Sequence, residues 1–225
     1  MKLSLLILVL FCIQSYGQVI STTISERIEG KVFNKKTGKK ITDEELVEII
    51  TSNPGIAFEE VYDKYGKLEK LYYDPDRARA ARHQSQRRNH QMKKGEKFPA
   101  FVFRTVDNEV LDSEKLTGKW ILIRFELFTR FMIREEVDSW SQQIEKAQTG
   151  NNLVAIICLA DSRQNINDEF DSDRLPFKLV SDAGNFHKRF KIVNFPTSIL
   201  IDREGMVFKY YYLGDNIPFD ELMKN

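Results

Sequence analysis

The side chains that most often carry chemistry are scarce in this chain. It has two cysteines, Cys12 and Cys158, and three histidines, His83, His90 and His187. The histidines show neither the His-x-x-x-His spacing nor the cysteine pairing that is typical of metal sites. No glycine-rich phosphate loop and no serine-nucleophile motif is found. The sequence therefore predicts no metal and no cofactor, and it leaves the two thiols as the groups to place.

Cys12 lies in an N-terminal segment, residues 1–17, that has the pattern of a secretory signal peptide. A positive residue precedes the apolar stretch Leu3–Ile13, and small residues stand before a cleavage position at Gln18. The apolar stretch is too short to span a bilayer core of about 30 Å. Lipidation of Cys12 stays open, although Phe11 stands where a lipoprotein has a small residue. We expect an exported chain, periplasmic or secreted from a bacterial cell envelope, with no transmembrane segment in its mature part.

Cys158 lies within the apolar stretch Leu153–Ala160, which predicts a fully buried strand. After signal cleavage it would be the one remaining cysteine, whereas exported proteins usually hold their cysteines in pairs. A reactive thiol needs exposure and an electropositive environment, and a mid-strand position offers neither. We therefore interpret Cys158 as a small core residue rather than as a nucleophile.

Composition indicates a globular protein with no general attraction for polyanions. Hydrophobic residues make up 42% of the chain and the net charge is +1. Basic residues cluster in residues 75–94, where alanines favour a helix but no apolar stripe is present. Export and the lack of interleaved aromatic residues argue against nucleic acid as a partner. We predict a solvated helical linker, and contact with an acidic partner or an anionic membrane surface stays open.

Residues 18–74 have the pattern of a small α+β unit. Thr42 stands three residues before Glu45, which is the capping box of a short helix. The second and third of the predicted strands are joined through a turn glycine and form a hairpin. Three strands are predicted in all, at Glu29–Phe33, Ile56–Tyr62 and Leu68–Tyr73.

Residues 95–225 have the alternation of strands and helices that is typical of an α/β domain. In the stretch Gly118–Val137 a turn is followed by a strand over Trp120–Phe125 and by the start of a helix over Arg130–Ala147. The 3.6-residue period puts four apolar side chains of this helix on one face: Ile133, Val137, Trp140 and Ile144. Further predicted elements include a strand at Phe98–Phe103, the strand Leu153–Ala160, a strand at Met206–Leu213 and a closing helix at Pro218–Met223.

Two motifs in this second domain resemble those of a known family. Residues 118–125, Gly-Lys-Trp-Ile-Leu-Ile-Arg-Phe, resemble a strand of exported thioredoxin-like proteins, namely the TlpA-type thiol–disulfide oxidoreductases and the alkyl hydroperoxide reductase/thiol-specific antioxidant group. Phe195-Pro196-Thr197 and the strand after it resemble the family's loop in which the proline is cis. The resemblance covers residues 95–214. It implies a thioredoxin-like α/β fold, a central mixed sheet flanked by helices, to which residues 18–74 add a small N-terminal α+β extension.

The redox cysteines of the resembled family are missing from this chain. In the TlpA-type register they fall on Arg130 and Ile133, and in the peroxiredoxin register the peroxidatic cysteine falls on Arg134. Neither arginine nor isoleucine replaces a thiolate nucleophile. The resemblance thus implies a non-catalytic module that binds a peptide or protein. The alternative is a thiol–disulfide oxidoreductase or peroxidase that acts through Cys158 or a partner's cysteines, and a third interpretation is a purely structural domain.

The resemblance also places a candidate ligand surface beside the start of the helix. Phe195 and Pro196 would form one wall of a cleft, and Phe131 with Met132 would form an apolar lip. In the resembled fold the loop before the strand leaves backbone groups open to an extended peptide. Main-chain hydrogen bonds of this kind need no cysteine.

Two arginines are the candidates for recognising the ligand's charge. Arg130 and Arg134 would lie in the first turn of the helix and face the same cleft, where they would hold an acidic or C-terminal peptide. The competing interpretation pairs them with Glu126 or Glu135, and Glu126 has Arg124 as a further partner. The oligomeric state is not predicted.

Overall fold

The computed structural model describes residues 28, 30–53, 56, 58–76, 91–148, 152–217 and 219. The predicted signal peptide, most of the predicted basic linker and, apart from Phe219, the predicted closing helix lie outside these residues. The described residues form two compact units. Residues up to Val61 together with 69–76 make the first unit, and Tyr62–Leu68 together with the residues from 91 onward make the second. No helix of the described residues is both long and apolar enough to cross a membrane.

The described residues contain ten strands and four α-helices. The strands are β1 (Val32–Asn34), β2 (Glu59–Tyr62), β3 (Leu68–Tyr73), β4 (Val102–Arg104), β5 (Val110–Asp112), β6 (Trp120–Glu126), β7 (Leu153–Leu159), β8 (Lys178–Val180), β9 (Thr197–Ile201) and β10 (Val207–Tyr212). The helices are α1 (Asp43–Ser52), α2 (Arg134–Gln148), α3 (Arg163–Glu169) and α4 (Gly184–Arg189). Short 3-10 turns lie at Ser113–Leu116, Thr129–Phe131 and Ser172–Arg174.

The first unit contains helix α1 and the strand order β1-β3-β2. The predicted capping box is present: the Glu45 N–H donates to Thr42 Oγ1 at 3.2 Å, and the Thr42 N–H donates to Glu45 Oε2 at 2.8 Å. These two bonds satisfy backbone donors that a helix start leaves without partners. Strand β1 pairs with β3 in parallel, a pairing that the local sequence does not specify.

The second unit is organised around a mixed sheet with the strand order β10-β9-β6-β7-β8. Strands β6, β7 and β8 run parallel, whereas β9 is antiparallel to β6 and to β10. Strand β6 lies in the middle, with Phe125 opposite Cys158 of β7 and Thr197 of β9. The prediction of an α/β fold with a central mixed sheet flanked by helices is confirmed.

The two faces of this sheet carry different cores because successive side chains of a strand point to opposite sides. On one face, called the phenylalanine face, Ile123 and Phe125 of β6 pack with Phe103, Phe186 and Phe190. The other face, called the α2 face, lies under helix α2. There Trp120 and Leu122 of β6 pack with Ile144, Ile157 and Leu200.

Helix α2 begins at Arg134, four residues later than predicted. Residues Thr129–Phe131 form a separate 3-10 turn, and Met132 has extended backbone angles, with φ −79° and ψ 127°. An extended residue cannot continue a helical hydrogen-bond ladder, so the chain is interrupted before α2. As a consequence Ile133 precedes the helix and is 55% exposed, although it lines the same cavity as Val137 and Trp140.

The predicted strand Phe98–Phe103 is also displaced, because β4 spans Val102–Arg104. The residues before it make other bonds: the Phe98 N–H donates to the Gly205 carbonyl at 2.9 Å, and the Phe101 N–H donates to Ser113 Oγ at 2.9 Å. Backbone groups that are satisfied by a turn and a hydroxyl do not extend a ladder.

Candidate functional site

A cavity of about 340 Å³ lies at the end of β6, on the α2 face of the sheet. Its walls come from the end of β6, the segment before α2, the first turns of α2 and the loop before β9. The lining residues are Arg124, Glu126, Leu127, Phe131, Met132, Ile133, Glu136, Val137, Trp140, Ile157, Phe195, Pro196 and Leu213. The peptide bond between Phe195 and Pro196 is cis.

An ion pair between Arg124 and Glu126 forms the polar part of the cavity wall. The two residues are separated by one position on β6, so both point to the α2 face. Arg124 Nε donates to Glu126 Oε1 at 2.7 Å, and Arg124 Nη2 lies 2.6 Å from the same oxygen. Of the partners considered from the sequence, Glu126 therefore pairs with Arg124.

Burial raises the pKa of the Glu126 carboxyl group in this pair. Glu126 is 4% exposed, and desolvation raises the pKa of its carboxyl group, although the charge and hydrogen bond of Arg124 act in the opposite direction. The carboxylate of Glu136 raises it further; its Oε2 lies 3.9 Å from Arg124 Nη2. The guanidinium of Arg124 also lies over the Trp140 ring, 5.1 Å from its centroid. The site thus holds one cation against two carboxylates.

Three of the five residues proposed from the sequence to bind a ligand line this cavity: Phe131, Phe195 and Pro196. The Phe131 side chain is 59% exposed, and two further apolar side chains at the cavity, Ile133 and Leu213, are 55% and 70% exposed. Exposed large apolar groups beside a cavity are typical of interaction surfaces.

The other two, Arg130 and Arg134, do not line the cavity. Arg130 lies over the rings of Phe128 and Phe131, at 4.8 and 5.0 Å from their centroids. Arg134 Nη2 lies 3.7 Å from Glu169 Oε2. The expected geometry, with both arginines in the first turn of one helix, is wrong because only Arg134 belongs to α2 while Arg130 lies in the preceding 3-10 turn.

Cys158 is enclosed on the opposite side of the sheet, on the phenylalanine face. It is 0% exposed, and burial raises the pKa of its thiol well above the ordinary value. Its carbonyl oxygen lies 3.3 Å from His187 Nε2, and burial lowers the pKa of His187 to about 4. The interpretation of Cys158 as a core residue is confirmed, and its position separates it from the cavity by the thickness of the sheet.

The sequence contains part of the signal for the polar residues of the cavity. Arg124 and Glu126 are two charges at alternate positions near the end of an apolar strand, which places them on one face. Trp140 and Glu136 are four positions apart on the helix, so the helical period places their side chains on the same face. Leu213 follows β10, and no local pattern connects it with β6. Within the described residues there is no cluster of three or more His, Cys, Asp or Glu side chains arranged to hold a metal.

Several solved structures are similar to part of this chain. A thioredoxin-family thiol:disulfide interchange protein from Chlorobium tepidum TLS is 22% identical with a TM-score of 0.46, and the match covers 59% of this chain and 96% of that one. A thiol-disulfide oxidoreductase from Bacteroides fragilis NCTC 9343 is 18% identical with a TM-score of 0.46, covering 53% and 92% of the two chains. A thiol peroxidase from Chromobacterium violaceum is 19% identical with a TM-score of 0.44, covering 60% and 85%.

Comparison of the sequence with curated proteins and comparison with family models give different results. No curated protein sequence matches the chain significantly. The model of the AhpC/TSA family, in contrast, matches residues 94–210, which is more than half of the chain and extends from before β4 into β10. On the strength of this match the chain belongs to the AhpC/TSA family.

Proposed function

We propose that this chain is an exported thioredoxin-like protein that binds a peptide or a protein at the β6 cavity and carries out no thiol chemistry. The proposal rests on the lack of an accessible thiol in the described residues. The positions that match the family's redox cysteines hold Arg130, Ile133 and Arg134, and the thiol of Cys158 is 0% exposed. Disulfide exchange and peroxide reduction both begin with an accessible thiolate, and the described residues offer none.

The alternative, a thiol–disulfide oxidoreductase or peroxidase that uses Cys158, is disfavoured on two grounds. Burial raises the pKa of the thiol, so the thiolate is scarce at neutral pH. In addition, Cys158 and the cavity lie on opposite faces of the sheet, since Cys158 is opposite Phe125 whereas Ile157 lines the cavity. A substrate bound at the cavity therefore has no path to the sulfur.

A binding role is supported by the rim of the cavity. Phe131, Ile133 and Leu213 are more than half exposed, and a partner that covers them would remove apolar surface from water. Phe195 and Pro196 form the wall that the family resemblance assigns to an extended peptide. Both features serve binding and require no redox centre.

Acidic groups of the partner would be held outside the cavity by the two arginines. Arg130 is exposed, and within the described residues its contacts are aromatic rings rather than a carboxylate. Arg134 forms an exposed pair with Glu169 at 3.7 Å, and such pairs contribute only about 0–1 kcal/mol, so a partner carboxylate can replace Glu169. The signal-peptide pattern of residues 1–17 supports a place for this binding in the periplasm or outside the cell.

Catalysis is tested by measuring insulin disulfide reduction and thiol-dependent hydroperoxide consumption. We expect the chain and a Cys158→Ser variant to give the same background rates, because neither presents a thiolate. Reaction of the native protein with a thiol reagent should be slow, and one thiol should react rapidly after denaturation. Turnover well above the Cys158→Ser variant would overturn the non-redox assignment.

Binding is tested by capture of partners from the native envelope fraction, followed by quantification of each captured protein. The Arg130→Ala, Arg134→Ala double variant and the Phe131→Ala variant should each lose the captured partner while the melting temperature stays nearly constant. Arg174→Ala is a matched control, because Arg174 is highly exposed in the same unit and does not line the cavity. Equal capture by all variants would place the binding surface elsewhere.

A further inference from the structure

The charged side chains that line the cavity carry a net negative charge. Among its lining residues the cation is Arg124, and the anions are Glu126 and Glu136. Both carboxylates lie close to the same atom: Arg124 Nη2 is 2.6 Å from Glu126 Oε1 and 3.9 Å from Glu136 Oε2. One positive charge is therefore already matched against two negative charges, which leaves the cavity with an excess of one negative charge.

The second carboxylate oxygen of Glu126 is free to accept a hydrogen bond. Both close contacts from Arg124 go to Oε1, and the described residues donate no hydrogen bond to Oε2. Glu126 is 4% exposed and lines the cavity, so a group that enters the cavity would lie beside this carboxylate.

The remaining walls suit an apolar chain rather than a fully polar group. Trp140, Phe131 and Leu213 border the cavity, and Trp140 already receives one cation, Arg124, on its ring. A volume of about 340 Å³ is at the small end of ligand pockets, which matches one long side chain better than a whole folded element. Lysine and arginine combine an apolar stem with a cationic end and bury the stem along apolar surface.

We propose, on the basis of the peptide-binding function above, that the cavity receives a lysine or arginine side chain of the bound partner. Its stem packs against Trp140 and Phe131, and its cationic end donates to Glu126 Oε2 and lies near Glu136. An acidic side chain in the same place would meet two carboxylates and only one arginine, whose Nε and Nη2 already contact Glu126. The partner thus presents a basic anchor inside the cavity, while its acidic groups remain outside near Arg130.

The anchor is tested by selecting random heptapeptides displayed on phage against the immobilised full-length chain. The expected result is enrichment of sequences that share a lysine or arginine at one position. Replacing that residue by norleucine in a synthetic copy of the selected peptide should weaken binding roughly tenfold to a hundredfold, the loss expected for a charge-assisted hydrogen bond. Enriched sequences without a basic residue would overturn this inference and leave the binding function standing. No enrichment at all would count against both.

Three glutamine variants separate the two carboxylates from a general charge effect. Glu126→Gln should weaken binding of the selected peptide by tenfold or more, and Glu136→Gln should weaken it less because Glu136 is half exposed. Glu135→Gln is the matched control, since Glu135 is the exposed neighbour of Glu136 and does not line the cavity. Equal affinities for all three variants would overturn the inference. Tighter binding by Glu126→Gln would also overturn it and would identify Arg124 as the anchoring group.

Discussion

Cys158 and His187 on the phenylalanine face are enclosed, whereas Arg124 and Glu126 on the α2 face border a cavity of about 340 Å³. The two pairs lie only one strand apart, because Phe125 next to Glu126 is the residue opposite Cys158. On the first face the titratable side chains are held neutral by burial, as the raised pKa of Cys158 and the lowered pKa of His187 indicate. On the second face an ion pair keeps contact with accessible space.

Burial, rather than the type of side chain, decides which of these groups remains accessible. The thiol of Cys158 has the greater intrinsic reactivity, but it has no contact with solvent, and burial disfavours its thiolate form. The carboxylate of Glu126 has modest reactivity, but it lies at the cavity, and its Oε2 receives no hydrogen bond from the described residues. Four predictions test how different the two faces are, from the largest expected change in the free energy of unfolding to the smallest.

The first prediction concerns the packing of the phenylalanine face. Phe125 is 0% exposed, and its ring lies 5.8 Å from that of Phe190 and 5.7 Å from that of His187. Phe125→Ala should lower the free energy of unfolding by about 3–5 kcal/mol, because it removes buried area and leaves a cavity. Urea denaturation measures this loss. A loss below about 1 kcal/mol would mean that this face is loosely packed.

The second prediction uses the titration of His187. The unfolded chain binds a proton at the ordinary pKa of 6.5, but the folded chain does so only at about 4. The free energy of unfolding should therefore fall as the pH is lowered from 6.5 to 4, by about 3 kcal/mol in total. Urea denaturation across this range should show a correspondingly smaller fall for His187→Gln, which cannot titrate. The same pH dependence in both proteins would show that His187 is not enclosed.

The third prediction is that neutralising Glu126 changes stability little at neutral pH. The pKa of Glu126 is raised above its ordinary value of 4.5, so the folded chain holds the proton more tightly than the unfolded chain. Ionisation then lowers the free energy of unfolding as the pH rises from 4.5 through the folded pKa. Glu126→Gln lacks this fall and should differ from the parent protein by about 1 kcal/mol or less at pH 7. A loss of about 3 kcal/mol or more would indicate a fully enclosed ion pair.

The smallest change is expected at the rim of the cavity. Phe131 is 59% exposed, so Phe131→Ala should alter the free energy of unfolding by less than about 0.5 kcal/mol. Partner capture should nevertheless fall, because the side chain lies where a ligand would cover it. Val110→Ala, which changes another exposed apolar residue of the same unit, is the control and should affect neither quantity. A large loss of stability in Phe131→Ala would give this ring a structural role.

Local pattern predicted the elements whose cause is local. The capping box of Thr42 and Glu45 begins α1 where expected, because its two hydrogen bonds join residues three positions apart. The stretch Trp120–Phe125, apolar except for Arg124, forms most of β6, and Cys158 lies in a buried strand, because a largely apolar run is stable only between two covered faces. The start of α2 was predicted wrongly since Met132 adopts extended backbone that neither its own type nor its neighbours require.

The amino-acid sequence fixes which side chains stand where the family resemblance expects redox cysteines. In that register they are arginine and isoleucine, and neither side chain forms a thiolate in any fold. The surroundings of these side chains, in contrast, depend on the tertiary structure. The order β9-β6-β7 sets Cys158 opposite Phe125 and away from the cavity, and Arg134, the first residue of α2, pairs with Glu169 of α3. The physical reason is that a strand's alternation fixes which residues share a face, while the choice of covering elements depends on contacts between distant segments.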